Sequence, residues 1–201
     1  TLHYNKSDKE VKKLKRELEN YCSKVFIIKA DLSIAPQTKR IVPFAYKMMK
    51  GIDCLINNAS IFEKDDLINF NEKSFSKHIN VNLLAPAILT QNFKKFLRSK
   101  KGNIINIIDQ RIFKLTPFFF SYTLSKTGLH TLTKTSAMKL APNIRVNGVA
   151  PGTTMKNKRQ SDKHFKKQWK SLILKEKVDP KNICNTVKYF INNDSITGQI
   201  I

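Results

Sequence analysis

Glycine is scarce in this chain. Six occur in 201 residues, at positions 51, 102, 128, 148, 152 and 198, and no G-x-G-x-x-G can be built from them. The glycine-rich turn on which a doubly wound domain receives a pyrophosphate is therefore not among these residues. Cysteine is scarcer still: Cys22, Cys54 and Cys184 are odd in number and far apart, with neither a C-x-x-C pair nor a metal-like cluster, which points to a reducing cytoplasm. No apolar run approaches the roughly 18 residues of a membrane span, and no signal-peptide core opens the chain. His3, His78, His130 and His164 form no cluster, so no metal is assigned. Acidic residues are few, 15 against 37 basic ones, for a net charge of +22. Such an excess attracts phosphate. Yet 31 of the 37 are lysines, and six arginines supply few of the planar forks that read phosphate and guanine edges, which argues against a nucleic-acid partner.

What is present is a globular composition, 41% hydrophobic, enough for one domain with a real core. Short β-rich runs alternate with helical patterns from end to end, the signature of an α/β fold with a parallel sheet. The strand candidates are residues 25–30, 54–57, 103–108 and 144–150, with remnants at 1–4 and 198–201. Between them the spacing predicts a helix opened by the capping box Ser7-x-x-Glu10, one over 41–50 stopped by Gly51, a long one through 75–97, one from about Tyr122 to Leu140, and one opening at Pro180.

Two Tyr-x-x-x-Lys pairs put a phenol and an ammonium on one helical face, Tyr46/Lys50 and Tyr122/Lys126. Tyr46 belongs to an ordinary amphipathic helix and reads as a packed tyrosine. Tyr122 follows a strand ending at Ile108 and the aromatic triplet 118–120. It thus opens a helix near the carboxyl edge of the sheet, where α/β folds bind ligands. Upstream, Asn57-Asn58-Ala59-Ser60 also ends a strand and Asn82 sits in a helix. Downstream, Pro151-Gly152 follows the strand carrying Asn147.

In this order and spacing, Asn57-Asn-Ala-Ser60, Val81-Asn82-Leu83, Tyr122-x-x-x-Lys126, Arg145-Val-Asn147 and Pro151-Gly152 resemble the short-chain dehydrogenase/reductase family over essentially the whole chain. The resemblance implies a single, three-layered, Rossmann-type doubly wound domain over 1–201, a nicotinamide cofactor, and a Tyr122 proton donor. Lys126 would tune the phenol and anchor the ribose; Asn82 would position Lys126 or a water. The family places Ser thirteen residues before the Tyr, where this chain has Asp109. In that respect, and in Phe62 two residues beyond Asn-Ala-Ser, it resembles the pteridine reductase subgroup. That likeness implies a cofactor segment at Asn5, Lys6 and Ser7 for the adenosine 2′-phosphate, adenine contacts at Asp31 and Leu32, further cofactor contacts at Asn58, Ala59, Pro151 and Gly152, and a substrate side formed by Ser60, Phe62, Asp109 and Trp169. It implies NADPH as cofactor, a small-molecule substrate, and a homotetramer built partly on Leu124, Leu132 and Leu140. It also implies that the parent polypeptide carries about 30 or more upstream residues with the first strand and glycine-rich turn, and a short tail beyond Ile201. Without that strand a gap is expected between the strands at Thr1 and Cys54.

The chemistry has a physical reading of its own. Asp109 would keep Tyr122 protonated or itself hold a proton in an apolar site, so the pair suits proton donation and therefore reduction. A flat heterocycle also needs an aromatic surface and polar edges, which Phe62 beside Asp109 supplies. No acidic residue ends the first strand to bind a ribose 2′-OH, and Asn5, Lys6 and Ser7 offer donors and a positive charge instead, which favours NADPH over NADH. The resemblance makes residues 153–175 the substrate lid; they carry Lys156, Lys158, Arg159, Lys163, Lys166, Lys167, Lys170 and Trp169, a charge that could hold an anionic substrate such as a carrier-protein thioester or a folate tail but in so lysine-rich a chain reads rather as a solvated helix face. Three functions stay open: reduction of a pterin or related heterocycle, reduction of a 3-oxoacyl thioester or other carbonyl, and non-catalytic binding by a basic protein on the same scaffold.

Overall fold

Alternation of strand and helix is borne out along the chain. The computed structural model describes residues 1–22, 24–97, 101–156 and 160–201. In order these form β1 (Leu2–Tyr4), α1 (Asp8–Glu19), β2 (Ile27–Lys29), α2 (Ala35–Lys39), α3 (Ile41–Met49), β3 (Cys54–Asn57), α4 (Glu72–Ile79), α5 (Ala85–Leu97), β4 (Gly102–Ile107), α6 (Phe120–Leu140), β5 (Ile144–Val149), α7 (Asp162–Lys170) and α8 (Pro180–Asn192). The long helix expected over 75–97 is α4 and α5 joined through a π-helical turn, Asn80–Leu84. Such wide turns recur at functional sites, and this one buries Val81 and Asn82 in succession.

Several helix ends follow ordinary chemistry. Pro180 occupies the first turn of α8, where its missing N–H costs nothing, and Asp179 caps it by accepting from Lys181 N–H at 2.8 Å. Asn71 and Ser161 cap α4 and α7 in the same way. Two details depart from expectation. Ser7 stands at the N-cap of α1 without a capping bond, because its backbone (ψ 59°) leaves the extended region that aims the side chain at the helix. At the end of α3 the left-handed residue is Lys50 (φ 59°), one before the predicted stop at Gly51. Tyr46 packs on Phe96 at 5.1 Å, a structural tyrosine as read.

Among the described residues the named strands β1 to β5 pair in parallel. β4 lies between β3 and β5, in register Cys54↔Asn103 and Gly102↔Ile144. Residues 198–201 extend this sheet beyond β5, through Gly198 N–H to Val146 O and Gly148 N–H to Gln199 O, each at 2.8 Å. Gly148 lets the ends of two side chains close in there: a Cβ would sit 2.6 Å from Ile108 Cδ1 and 2.7 Å from Ile200 Cδ1, and both would have to shift. Ile104, Ile144 and Val146 face α5 and α6 with Phe93 and Ala137, while Ile105 and Val149 face Phe190 of α8. Helices thus cover both faces, giving three layers in one Rossmann-like domain. Fully burying a phenylalanine such as Phe93 or Phe190 contributes about 2–3 kcal/mol.

β1 and β2 form a separate two-stranded sheet, in register Leu2↔Ile27. A cleft of about 570 Å³ divides it from β3, lined by Leu2, Leu32, Val42, Ile56, Asn57 and Phe93 among others. This is the gap expected between the strands at Thr1 and Cys54.

Candidate active site

The carboxyl end of β4 delivers Asp109 into the site. Its Oδ1 accepts Arg111 N–H at 2.8 Å, capping a 3-10 turn over Gln110–Ile112. That leaves Oδ2 to accept the Tyr122 hydroxyl at 2.7 Å. Tyr122 sits buried in the first turn of α6, and the start of that helix is held from outside. Asp65 accepts from the N–H and the hydroxyl of Ser121, and Phe119 N–H donates to Asp65 O at 2.7 Å. A carboxylate at a helix N-terminus is favoured by the backbone dipole, so Asp65 fixes the position of Tyr122 one residue on.

One turn further, Lys126 is 2% exposed; its Nζ donates to Ile107 O at 2.8 Å and lies 5.7 Å from the Tyr122 ring centroid. Burial lowers the Lys126 pKa to about 8, against the pull of Asp109 in the other direction. Burial first, and then the charge and hydrogen bond of Asp109, push the Tyr122 pKa well above the usual phenol value; Arg111 and Ser60 oppose this more weakly. The expected pairing of Tyr122 with Asp109 is therefore present, and it holds the phenol protonated.

Phe62 meets Tyr122 edge to face, centroids 4.6 Å apart at 77°. Its own face stacks on Phe119 at 4.3 Å and 6°. Phe119 takes a left-handed backbone (φ 61°), uncommon for a bulky side chain and costing about 1–3 kcal/mol. Arg111 lies over this pair, its Cζ 4.4 Å from the Phe119 centroid and 5.5 Å from that of Phe62. Asn82 is 1% exposed and ties the floor of the site together. Its Oδ1 accepts Ile61 N–H at 2.9 Å and the Ser60 hydroxyl at 3.1 Å, and its Nδ2 donates to Ile61 O and Ser125 Oγ at 3.0 Å each. Its amide thus braces the Ser60–Phe62 loop against α6. Behind it, Asn57 donates to Asn106, and Asn106 to Thr133, each at 2.8 Å.

The residues expected on the cofactor side are spread along one edge. Asn58 and Ala59 are exposed where β3 ends, and with Leu32 they line the cleft. Lys6 and Ser7 are exposed after β1, with Asn5 half-buried. Asp31 is engaged by Ser33, from N–H at 2.8 Å and from the hydroxyl at 2.6 Å. Pro151 and Gly152 continue β5 beside Gln110, whose N–H donates to Pro151 O at 3.2 Å. Trp169, on α7, is not brought to Asp109, Phe62 or Tyr122 by any indole hydrogen bond or ring contact among the described residues. That helix turns Phe165 inward and leaves Lys163, Lys166, Lys167 and Lys170 exposed, a solvated face as read. Lys158 and Arg159 lie outside the described residues.

Arg111, Asp65 and Ser121 were not singled out in the sequence, and Phe119 only as part of the aromatic triplet 118–120. An arginine two residues beyond Asp109, one of only six in the chain, was the available signal for the first. Asp65 had none, because its partner is 56 residues away.

A doubly wound α/β domain with Tyr-x-x-x-Lys beside the end of a central strand defines a class, and the short chain dehydrogenase family matches residues 1–167. The chain belongs to that family. Among its relatives, it is 32% identical over 176 residues to dehydrogenase/reductase SDR family member 4 of Pongo abelii, covering 83% of this chain and 63% of that protein. It is 32% identical over 181 residues to the 3-oxoacyl-[acyl-carrier-protein] reductase FabG of Buchnera aphidicola, covering 87% and 74%. Among solved structures, FolM alternative dihydrofolate reductase 1 from Brucella canis, complexed with NADP, superposes with a TM-score of 0.94 at 38% identity, over 99% of this chain and 79% of that one.

Proposed function

We propose that this protein is an NADPH-dependent reductase of a pterin or a related heterocycle. The observation that carries the proposal is the 2.7 Å hydrogen bond from the Tyr122 hydroxyl to Asp109, where most of the family has a serine, with Phe62 edge-on to the same phenol. Likeness to the FolM structures supports it, since those are named as dihydrofolate reductases and hold NADP.

The residues present fit that cofactor. The buried Oδ1 of Asn57, on the cleft wall, has no hydrogen-bond partner among the described residues. The two carboxylates nearest the end of β1 are already engaged: Asp8 accepts from Tyr4 at 2.9 Å and Lys29 at 3.3 Å, and Asp31 accepts from Ser33. The Lys29 ammonium offsets the charge of Asp8, and both Ser33 bonds fall on Oδ1 of Asp31, whose other oxygen would meet the adenine edge. Asn5, Lys6 and Ser7 would hold the 2′-phosphate, Asp31 and Leu32 the adenine edge, and Asn58, Ala59, Pro151, Gly152, Tyr122 and Lys126 the nicotinamide half. When bound, the cofactor supplies a hydride.

The chain's own residues manage the proton. Tyr122, held protonated across the working pH range, is a donor and not a base, and Asp109 orients its hydroxyl. Lys126, cationic below about pH 8, offsets negative charge on the phenol oxygen as the proton leaves. Asn82 keeps Ser60 and Phe62 in place through Ile61. Phe62 offers, on the face that Phe119 does not cover, the flat apolar surface against which a heterocycle is oriented. A homotetramer and a cytoplasmic location belong to the same reading, supported by exposed Leu124 on α6 and by three free cysteines.

FabG relatives at similar identity favour a second reading, reduction of 3-oxoacyl thioesters. NADPH oxidation by the full-length protein, with dihydropterins set against short 3-oxoacyl thioesters, separates them. Dihydropterin turnover should dominate. Dominant thioester turnover selects the second reading, and failure to bind any nicotinamide leaves a non-catalytic binding protein.

A further inference from the structure

Beyond the weak pull of its charge on the Tyr122 phenol, the guanidinium of Arg111 has no role in the chemistry above, yet it lies beside the aromatic wall of the site. Its Nη1 donates to Thr116 Oγ1 at 3.2 Å, and its plane is held over Phe119 at 4.4 Å. Among the described residues no carboxylate lies within ion-pair distance of it. Arg145 is the contrast. That side chain donates to Phe190 O and Ile196 O, meets Asp194 at 3.4 Å, and serves to lock α8 and the C-terminal segment onto β5. Among the described residues the Arg111 side chain makes one neutral hydrogen bond and leaves most of its five donors unused.

Its surroundings run from the reacting phenol to solvent. Phe62 touches Tyr122 on the inner side, Phe119 stacks on Phe62, and the loop beyond Arg111 leaves Phe113 and Leu115 about 70% exposed. A second cation, Lys64, lies 5.0 Å over Phe118 on the facing loop, which pairs with this one through Asp66 and Phe118. The rim is therefore an aromatic shelf edged by two cations. A substrate whose ring stacks on Phe62 and whose tail leaves the site must pass this edge.

We propose that Arg111 is a specificity-determining residue that receives a carboxylate on the tail of the substrate, so that the protein prefers a heterocycle bearing an anionic arylamide tail to the same heterocycle without one. This rests on the heterocycle reading above. A planar fork meets a carboxylate through two parallel hydrogen bonds, which lysine cannot reproduce. Charge-assisted bonds of this kind change affinity about 10- to 100-fold.

The test compares dihydrofolate with a tail-less dihydropterin, with full-length wild type, Arg111→Gln and Arg111→Lys. In Arg111→Gln the ratio of kcat/KM for dihydrofolate to that for the dihydropterin should fall at least about 10-fold, carried by KM for dihydrofolate and not by kcat. Arg111→Lys should restore part of the ratio, and added salt should lower it in wild type. A wild type active on both substrates whose Arg111→Gln variant keeps the same ratio overturns this inference alone, because Arg111 then acts through Tyr122 or the aromatic loop. A wild type inert towards both overturns the functional reading and this inference with it.

Discussion

The two halves of the molecule differ in how their strands are paired. On one side β3, β4 and β5 pair in unbroken register, with Ile104, Ile105, Ile144 and Val146 at 0% exposure and helices on both faces. On the other, β1 and β2 pair over three residues only, and a cleft separates them from β3. Tyr122, Lys126, Asp109 and Asn82 all spring from the first half or from helices packed on it. Asn5, Lys6, Ser7, Asp31 and Leu32 belong to the second. The groups that handle the proton therefore sit on the three-stranded sheet and its helices, while the residues assigned to the adenosine end lie across the cleft. The two functions should be separable by mutation.

Tyr122→Phe breaks the comparison hardest. It keeps the ring against Phe62 and removes the donor, so NADPH-dependent turnover should fall about 10²- to 10⁴-fold while NADPH affinity, measured by fluorescence titration, changes little. Comparable loss of both would mean that the halves are not independent. The second half is probed by cofactor choice. Full-length protein should bind NADPH about 10- to 100-fold more tightly than NADH, through contacts to the 2′-phosphate; equal affinities would remove the role given to Asn5, Lys6 and Ser7.

Phe62→Ala should act more gently, raising KM for a dihydropterin roughly 3- to 10-fold through lost stacking. An unchanged KM would leave Phe62 as a packing residue. The mildest effect is with pH. Because burial lowers the Lys126 pKa to about 8, its ammonium is lost as pH rises through that value, and kcat should decline there with one apparent ionisation. Folding responds with the opposite sign. The unfolded chain binds this proton more tightly, so the penalty of burying the charge is full below about pH 8 and fades as pH rises towards the free lysine value. Lys126→Met should abolish both trends.

Much of the first half was legible. Tyr122 and Lys126 share a helix face at i,i+4, a spacing that survives any tertiary detail, and the thirteen-residue offset of Asp109 spans one loop between a strand end and a helix start. Strand positions followed from short β-rich apolar runs, the last of them closed by Pro151. Contacts between distant segments were not legible, since nothing local marks them. Asn57 reaches Asn106 across 49 positions, and Asp65 reaches Ser121 across 56. Phe119 in a left-handed conformation runs against its own preference, and contacts from residues 62–66 hold it there: the pairing of Asp66 with Phe118, the Phe119 N–H bond to Asp65 O and the stack on Phe62. The π-helical turn at Asn82 likewise looks like ordinary helix in the sequence. Trp169 was singled out as the chain's only tryptophan in a basic segment, and α7 does not carry it to Tyr122.

The central claim is that Asp109 beside Tyr122 makes this a heterocycle reductase. It is tested most directly by the ratio of dihydropterin to 3-oxoacyl thioester turnover in wild type and in Asp109→Ser. Serine restores the group usual in the family, so the ratio should fall about 10-fold or more, with dihydropterin reduction losing most. If Asp109→Ser leaves the ratio where it is in wild type, the carboxylate does not select the substrate and the heterocycle assignment is wrong.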